Sequence, residues 1–426
     1  MTDRTSAPPI KPIDTLQLEN PIRQCLSNGI PIYLFKNDTL DLIHLIVSIK
    51  GGTIREPLKH LSIFTYGLLK ESSPRHTANE MVDLFDYYGS TYNTEIDLDN
   101  INIKMVMPKR NIPEILPLIY EFMSAPRYRV ENMELFREQR LVALRNNLKK
   151  NNFVATRMML NAMIGESCAA GRLSNEDSYR RITIADMQAY HRQTFCADNI
   201  TIYATGNIDE TTYACIADTF GHIACGQATE ALPLFTMPAS ECHDLYQEVP
   251  GSVQSSIVLC RPGLAFTDDN HHTLSVLSTI TGGYFGSRLM QRIREKHGYT
   301  YGIGCDSVYF GKQSIFSIQS DVNANHTNAA IDACYEELER LQNEPISEVE
   351  LTTVKTYLSG TILQGLSTSV AYMEKFAFWN KLGSDQSEVQ HFLQHMQQLS
   401  PEQLMETAKI FFEYNKFTNI IVGYKL

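Results

Sequence analysis

Gly282-Gly283-Tyr284-Phe285-Gly286-Ser287-Arg288-Leu289, continuing through Arg294-Glu295-Lys296-His297-Gly298-Tyr299-Thr300-Tyr301, is the stretch on which the reading of this chain turns. Its glycines allow tight backbone turns ahead of a helix. That helix would carry Leu289 and Ile293, with the basic residues Arg292 and Arg294 beside them. Gly298 would stop it just past the C-terminus, where a left-handed conformation suits glycine. Arg294 and Tyr301 lie seven residues apart, one at the helix end and one on the following strand, so both could project into one space. Read locally, two roles stay open. A guanidinium and a phenol are hydrogen-bond donors that could serve a bound group. Equally, Arg294 could cap its own helix C-terminus while Tyr301 packs in the sheet.

Working outward, the chain echoes itself. Gly89-Ser90-Thr91-Tyr92 resembles Gly298-Tyr299-Thr300-Tyr301 at an offset of 209 residues, and each opens a strand pair that leads to a long amphipathic helix. Thr183 opens a helix (Ile184 to Tyr190) leading to Ile200-Thr201-Ile202-Tyr203 and Gly206. Ser400 does the same through Leu404 and Ile410 to Asn419-Ile420-Ile421-Val422 and Gly423, at an offset of 217. Two echoes in the same order point to duplication. Strands are expected at Pro31–Phe35, Leu42–Lys50 and Ile101–Met107, and helices at Leu58–Glu71, Ala78–Tyr88, Asn111–Met123 and Glu131–Leu148. Strands grouped together with helices collected afterwards indicate an α+β protein. It would have two homologous α/β sandwich halves, each an antiparallel sheet with helices packed on it. Residues 231–252 hold Pro233, Pro238, Pro250 and Gly251 with weak periodicity. The expected division is residues 1–230, a linker at 231–252, and residues 253–426.

Composition sets the outer limits. The 426 residues are too many for one ordinary core, and 43% hydrophobic with 20% charged residues is globular rather than disordered or fibrous. A net charge of -11 argues against a nucleic-acid partner, which needs a basic face. No apolar run approaches ~20 residues, so no membrane helix is expected. Residues Met1 to Lys11 show no apolar core of a secretory leader, which makes the expected location cytoplasmic. Nine cysteines, an odd number without Cys-x-x-Cys, fit a reducing compartment better than a disulfide framework.

The run around Arg294 and Tyr301 closely resembles the C-terminal signature of the pitrilysin/insulinase-like zinc peptidases, peptidase family M16, which include mitochondrial processing peptidase and its bacterial relatives. The resemblance covers nearly the whole chain and extends to Gly171-Arg172-Leu173-Ser174, similar to the family's loop after the long helices. It implies two homologous halves joined by a linker around a peptide-holding chamber. It also implies that Arg294 and Tyr301 bind substrate, holding backbone carbonyls near the scissile bond.

The family carries His-x-x-Glu-His on the first long helix of its N-terminal half. Two histidines four apart on one helical face bind zinc, and the glutamate activates water. A glutamate on a helix well downstream is the third ligand. Aligning Phe64 and Leu68-Leu69 puts Ile63, Tyr66 and Gly67 at the first histidine, the glutamate and the second histidine. Ile63 has no lone pair and Gly67 no side chain. Tyr66, with an ordinary pKa of ~10, is a poor base at neutral pH. Downstream, Glu138 matches the family's supporting glutamate, and Arg145 replaces the ligand glutamate with a cation. The resemblance therefore implies no catalytic residue, no metal ligand and no cofactor in this chain.

Other constellations are weaker. His391 and His395 are four apart, but on what reads as an exposed polar helix. His271-His272 reads as the polar first turn of a helix. Glu95, Asp97 and Asp99 fall on a hairpin turn, where acidic residues are common. There is no phosphate-binding Gly-x-x-x-x-Gly-Lys-[Ser/Thr] loop and no Gly-x-Ser-x-Gly elbow. The resemblance implies a non-catalytic subunit of a heterodimeric zinc peptidase. Its partners would be a catalytic M16-type chain, which supplies the zinc, and a peptide substrate, with no membrane or nucleic acid. The isolated chain could also form a homodimer. The competing reading is an inactive scaffold or peptide-binding protein with no catalytic partner. A third is a zinc enzyme with ligands elsewhere in the chain.

Overall fold

The computed structural model describes residues 16–39, 41–71, 73–230 and 243–424. The first half builds strands β1 (Ile22–Cys25), β2 (Pro31–Lys36), β3 (Leu42–Lys50), β4 (Thr91–Ile96), β5 (Asn100–Pro108) and β6 (Ile200–Gly206), in the order β1-β2-β6-β3-β5-β4. The second half builds β7 (His243–Glu248), β8 (Gln254–Pro262), β9 (Thr300–Phe310), β10 (Gln313–Asn323) and β11 (Thr418–Gly423), in the order β7-β11-β8-β10-β9. Without β1 the two sheets are the same diagram. Each has one parallel pair, β2 with β6 and β7 with β11, and every other pairing is antiparallel. The duplication extends to local chemistry. Thr183 and Ser400 both close capping boxes, with Asp186 and Gln403, ahead of helices Ile184–Thr194 and Pro401–Phe411.

The halves are cross-braced. On β2, β3 and β6, residues Ile32, Leu34, Leu45, Val47, Ile202 and Ala204 face the first half's own helices. Their neighbours Phe35, Ile46 and Tyr203 point the other way, into the core of the second half. Helix Ser369–Lys381 covers them there. Phe376 lies 5.0 Å from Tyr33 and 5.3 Å from Phe35, and Tyr203 donates to Asn380 at 2.8 Å. Helix Asn151–Ile164 of the first half returns the favour, setting Val154 and Met159 against Val258, Phe310 and Ile315 of the second sheet. Coverage on both faces explains why β3 is buried from Leu45 to Ile49 without alternation. β5 still alternates, with Ile101, Ile103, Met105 and Met107 inward. One buried ring of this kind is worth roughly 1.5–3 kcal/mol. The half-exposed Lys104–Glu374 pair at 2.8 Å adds at most about 1 kcal/mol, so packing outweighs charge in joining the halves.

Several elements differ from the sequence expectations. Residues 231–242 of the expected linker lie outside the described residues, and residues 243–248 of it form β7. The helix expected over Leu58–Glu71 is only Leu61–Gly67, followed by a 3-10 turn at Leu69–Glu71. The cause lies at its start. His60 adopts a left-handed conformation, φ 73°, and the buried Glu56 carboxylate accepts from His60 N at 2.7 Å and Ser62 N at 2.8 Å. The acidic hairpin turn is a latch to the other half. Asp99 is buried, accepts from Gly311 N at 3.0 Å and meets Lys381 at 3.0 Å, and Asp97 lies 3.5 Å from the same lysine.

Two buried histidines give this fold an acid-sensitive edge. Burial pushes His60, stacked on Tyr179 at 4.0 Å, down to about 3. It pushes His191, whose Nε2 meets the Met123 carbonyl at 2.8 Å, down to about 4. Below about pH 6.5 the unfolded chain takes up protons that the folded one refuses, so this stability is present above that pH and lost on acidification. Glu56, raised by burial to about 7, works in the opposite direction. The variant His191→Gln isolates one ring from the rest. Its loss of stability between pH 7 and 5, read by chemical denaturation, is expected to be smaller than the wild type's by about 2 kcal/mol. Identical pH profiles would contradict this.

Candidate functional site

The Gly282–Tyr301 signature is not an ordinary helix. Thr279–Gly283 and Met290–Lys296 are both wound as π-helix, a widened turn often found at functional sites. Gly282 lets the first of them press against β9, since a Cβ there would stand 2.9 Å from Cys305 N. Gly298 ends the second with φ 67°, its amide bonded to the Arg294 carbonyl at 3.0 Å. Tyr299 N reaches the Ile293 carbonyl at 3.0 Å, which fixes where β9 begins.

The arginines of this segment divide into two kinds. Arg288 grips Glu350 through Nε and Nη2, both at 2.9 Å. Arg292 is held by the buried Glu337 at 2.7 Å and also by Glu336. Both therefore anchor the segment to helices Thr327–Asn343 and Glu348–Gly365. Arg294 instead lies over the exposed Phe285 ring, its guanidinium carbon 4.3 Å from the centroid. Among the described residues no carboxylate pairs with it. A guanidinium placed over a ring face can still donate hydrogen bonds through its N–H groups. Tyr301 is 93% exposed, so its ring does not pack in the sheet.

At the positions aligned with the zinc motif the first half is filled. Tyr66 is 0% exposed, and its hydroxyl shares a 2.6 Å hydrogen bond with Thr194. Burial pushes that phenol far above its ordinary range. A Cβ on Gly67 would meet the Phe136 ring at 3.1 Å. Phe136 in turn lies edge-on to Phe64 at 5.2 Å and carries Arg140 over its face at 4.4 Å. Ile63 is half-buried. Arg145 is exposed and pairs with Glu176 at 2.7 Å, which also takes Arg180 at 2.8 Å. Hydrogen bonds from Arg145 and then Arg180 hold the Glu176 carboxyl down at about 2. An aliphatic chain, a buried phenol, a bare backbone and a cation do not fit a zinc ion.

The structure gathers histidines that the sequence reading left apart. His271-His272 was expected on a polar first turn, yet His271 is only 7% exposed. His272 Nε2 bonds the Glu388 carboxylate at 2.7 Å. His395, expected in solvent, is half-buried with Nε2 on the Thr273 hydroxyl at 2.8 Å, while His391 does stay exposed. The reason is that helix His271–Ser278 packs on helix Ser387–Gln398, whose Val389, Leu393 and Met396 form its inward stripe. That stripe was the available signal, since it fixes which side of the helix His395 borders. Beside the histidines opens a cavity of about 980 Å³. Phe266, Tyr309, Lys375 and Phe392 line it, together with Asp97 and Leu98 of the other half.

The two duplicated, cross-braced α+β halves thus carry Arg294 and the exposed Tyr301 in the second half and, among the described residues, no metal-ligating side chain at Ile63 or Gly67 in the first. Residues 181–358 match a family model described as "Peptidase M16 inactive domain". The chain is 23% identical over 261 residues to an uncharacterized zinc protease of Streptomyces coelicolor, a match covering 59% of this chain and only 56% of that protein. It is 20% identical over 412 residues to a non-peptidase homolog of Helicobacter pylori, covering 93% of this chain and 92% of that one. The crystal structure of a peptidase M16 inactive domain from Pseudomonas fluorescens has the same fold, with a TM-score of 0.88 at 19% identity over 96% of this chain and 99% of the other. Among the described residues no helix is long and apolar enough to cross a membrane.

Proposed function

We propose that this chain is the non-catalytic subunit of a heterodimeric M16-type zinc peptidase. A partner chain bearing His-x-x-Glu-His supplies the zinc and the activated water. This chain holds the peptide, with Arg294 and Tyr301 donating to its backbone carbonyls. Fixing an extended peptide in register lowers the entropy cost of reaching the attack geometry, and that positioning is the chain's contribution to rate. One observation carries the reading. Of the three arginines in the signature, Arg288 and Arg292 pair with carboxylates, whereas Arg294 has no carboxylate partner among the described residues and lies over an exposed ring.

A second reading is an inactive scaffold without a catalytic partner, favoured by the near full-length similarity to a protein named as a non-peptidase homolog. Affinity capture of the tagged chain from its own cells separates the two. The subunit reading expects a stoichiometric companion whose sequence contains His-x-x-Glu-His. Recovery of the chain with no such companion, or only with further copies of itself, favours the scaffold.

A further inference from the structure

We propose that His271, His272 and Glu388 form a binding site for a divalent transition-metal ion on the wall of the second-half cavity. One ligand atom from each lies within 4.8 Å of the others. Zinc-like ions take imidazole nitrogen and carboxylate oxygen at about 2.0–2.2 Å, which places ligands roughly 3.3 Å apart in a four-coordinate shell. Closing the cluster to that size needs side-chain movements on the order of 1 Å, well within a rotamer adjustment.

The site is built from two helix starts. His271 and His272 open helix His271–Ser278, and Glu388 lies in the first turn of helix Ser387–Gln398. The two elements are already joined by the 2.7 Å contact between His272 Nε2 and Glu388 Oε1. Two of the three ligands also have an outer partner of the kind that sets ligand orientation. The His271 Nδ1 faces the Tyr309 hydroxyl at 3.2 Å, and a ring that donates there keeps its Nε2 lone pair for a metal. The second oxygen of Glu388 accepts from the Ser384 hydroxyl at 3.3 Å. His395, its ring centroid 5.5 Å from that of His272, is a further imidazole beside the cluster. Otherwise the fourth position opens to the cavity. Phe266, 4.4 Å from His271, and Phe392, 5.4 Å from His272, shield the remaining sides.

Beyond the His272–Glu388 hydrogen bond, His271 brings a second imidazole within 4.8 Å of the same groups. Two imidazoles and one carboxylate select zinc, cobalt or nickel over magnesium or calcium, which prefer oxygen shells. The cluster belongs to the second half and is built from other residues than Ile63, Tyr66, Gly67 and Arg145. A metal held here would staple two helices at the cavity wall and would leave the proposed division of labour with a zinc-bearing partner unchanged.

The test is a cobalt(II) titration of the full chain after chelator treatment, followed by visible absorption. One saturable equivalent is expected, displaced by zinc and not by magnesium or calcium. Glu388→Gln and His272→Gln are each expected to weaken binding by at least about 10-fold. His391→Ala, on the same helix but outside the cluster, is expected to leave it unchanged. Should either ligand variant fail to fold by circular dichroism, Tyr309→Phe takes its place, with a smaller loss expected. No saturable cobalt binding by the wild type, or equal binding by wild type and ligand variants, overturns the proposal.

Discussion

Arg294→Ala is expected to lower kcat/KM of the proposed two-chain peptidase by roughly 10- to 150-fold. The figure is the loss of a charged hydrogen bond, about 1.5–3 kcal/mol, expressed as rate. The structure explains why this arginine and not its neighbours should matter. Arg288 and Arg292 satisfy carboxylates of helices packed behind the segment, so replacing them costs stability. Arg294 has no carboxylate partner among the described residues and lies over the exposed Phe285, so replacing it should leave the fold intact. Tyr301→Phe is expected to cost less, about 2- to 10-fold, because a neutral phenol donates a weaker bond. Both effects must be read at saturating partner, so that a change in assembly is not mistaken for one in turnover. Variants as active as the wild type under those conditions would remove Arg294 and Tyr301 from the substrate site.

The second large effect concerns the first half. Writing the zinc motif back in, as Ile63→His, Tyr66→Glu, Gly67→His and Arg145→Glu together, is expected to unfold or nearly unfold the chain. It should not produce a peptidase. Tyr66 is 0% exposed, so a glutamate there buries a carboxylate where a ring was, at roughly 3–5 kcal/mol. At position 67 the new imidazole would enter space already closed by Phe136. A chain with ordinary stability of about 5–15 kcal/mol has little to spare against such losses. Tyr66→Phe is the control. It loses only the Thr194 hydrogen bond, about 1 kcal/mol. A folded quadruple variant that cleaves peptide and is silenced by chelator would contradict this.

Much of this architecture is legible in the sequence where the cause is local. Thr183 and Ser400 read as helix starts because the capping residues stand three positions apart in the chain. Gly298 reads as a helix stop because only its own φ decides the matter. Strand β3 reads plainly because it is covered on both faces and nearly all apolar. What the sequence hides is long-range. β7 gains its place by pairing in parallel with β11, whose partner residues lie about 175 positions away, and its own residues have no strong strand signal. Asp97 and Asp99 look like a solvated turn until Lys381 is brought to them. His272 and Glu388 are 116 residues apart, so no spacing rule could have joined them. The π-helical winding at Met290–Lys296 leaves no periodic mark over seven residues. For the candidate site itself, residue identity was legible and environment was not. The sequence shows that Ile63 and Gly67 cannot ligate; only the packing shows that Tyr66 and Phe136 occupy the room.

The central claim is that this polypeptide does no zinc hydrolysis by itself and contributes to it through another chain. The direct measurement is cleavage of a quenched fluorescent peptide in excess zinc by the chain alone, by the His-x-x-Glu-His partner alone, and by an equimolar mixture. The expected result is no turnover by this chain, weak or no turnover by the partner, and rapid chelator-sensitive turnover by the mixture that saturates at one-to-one. Chelator-sensitive cleavage by this chain alone, or a mixture no faster than the partner by itself, would contradict the account.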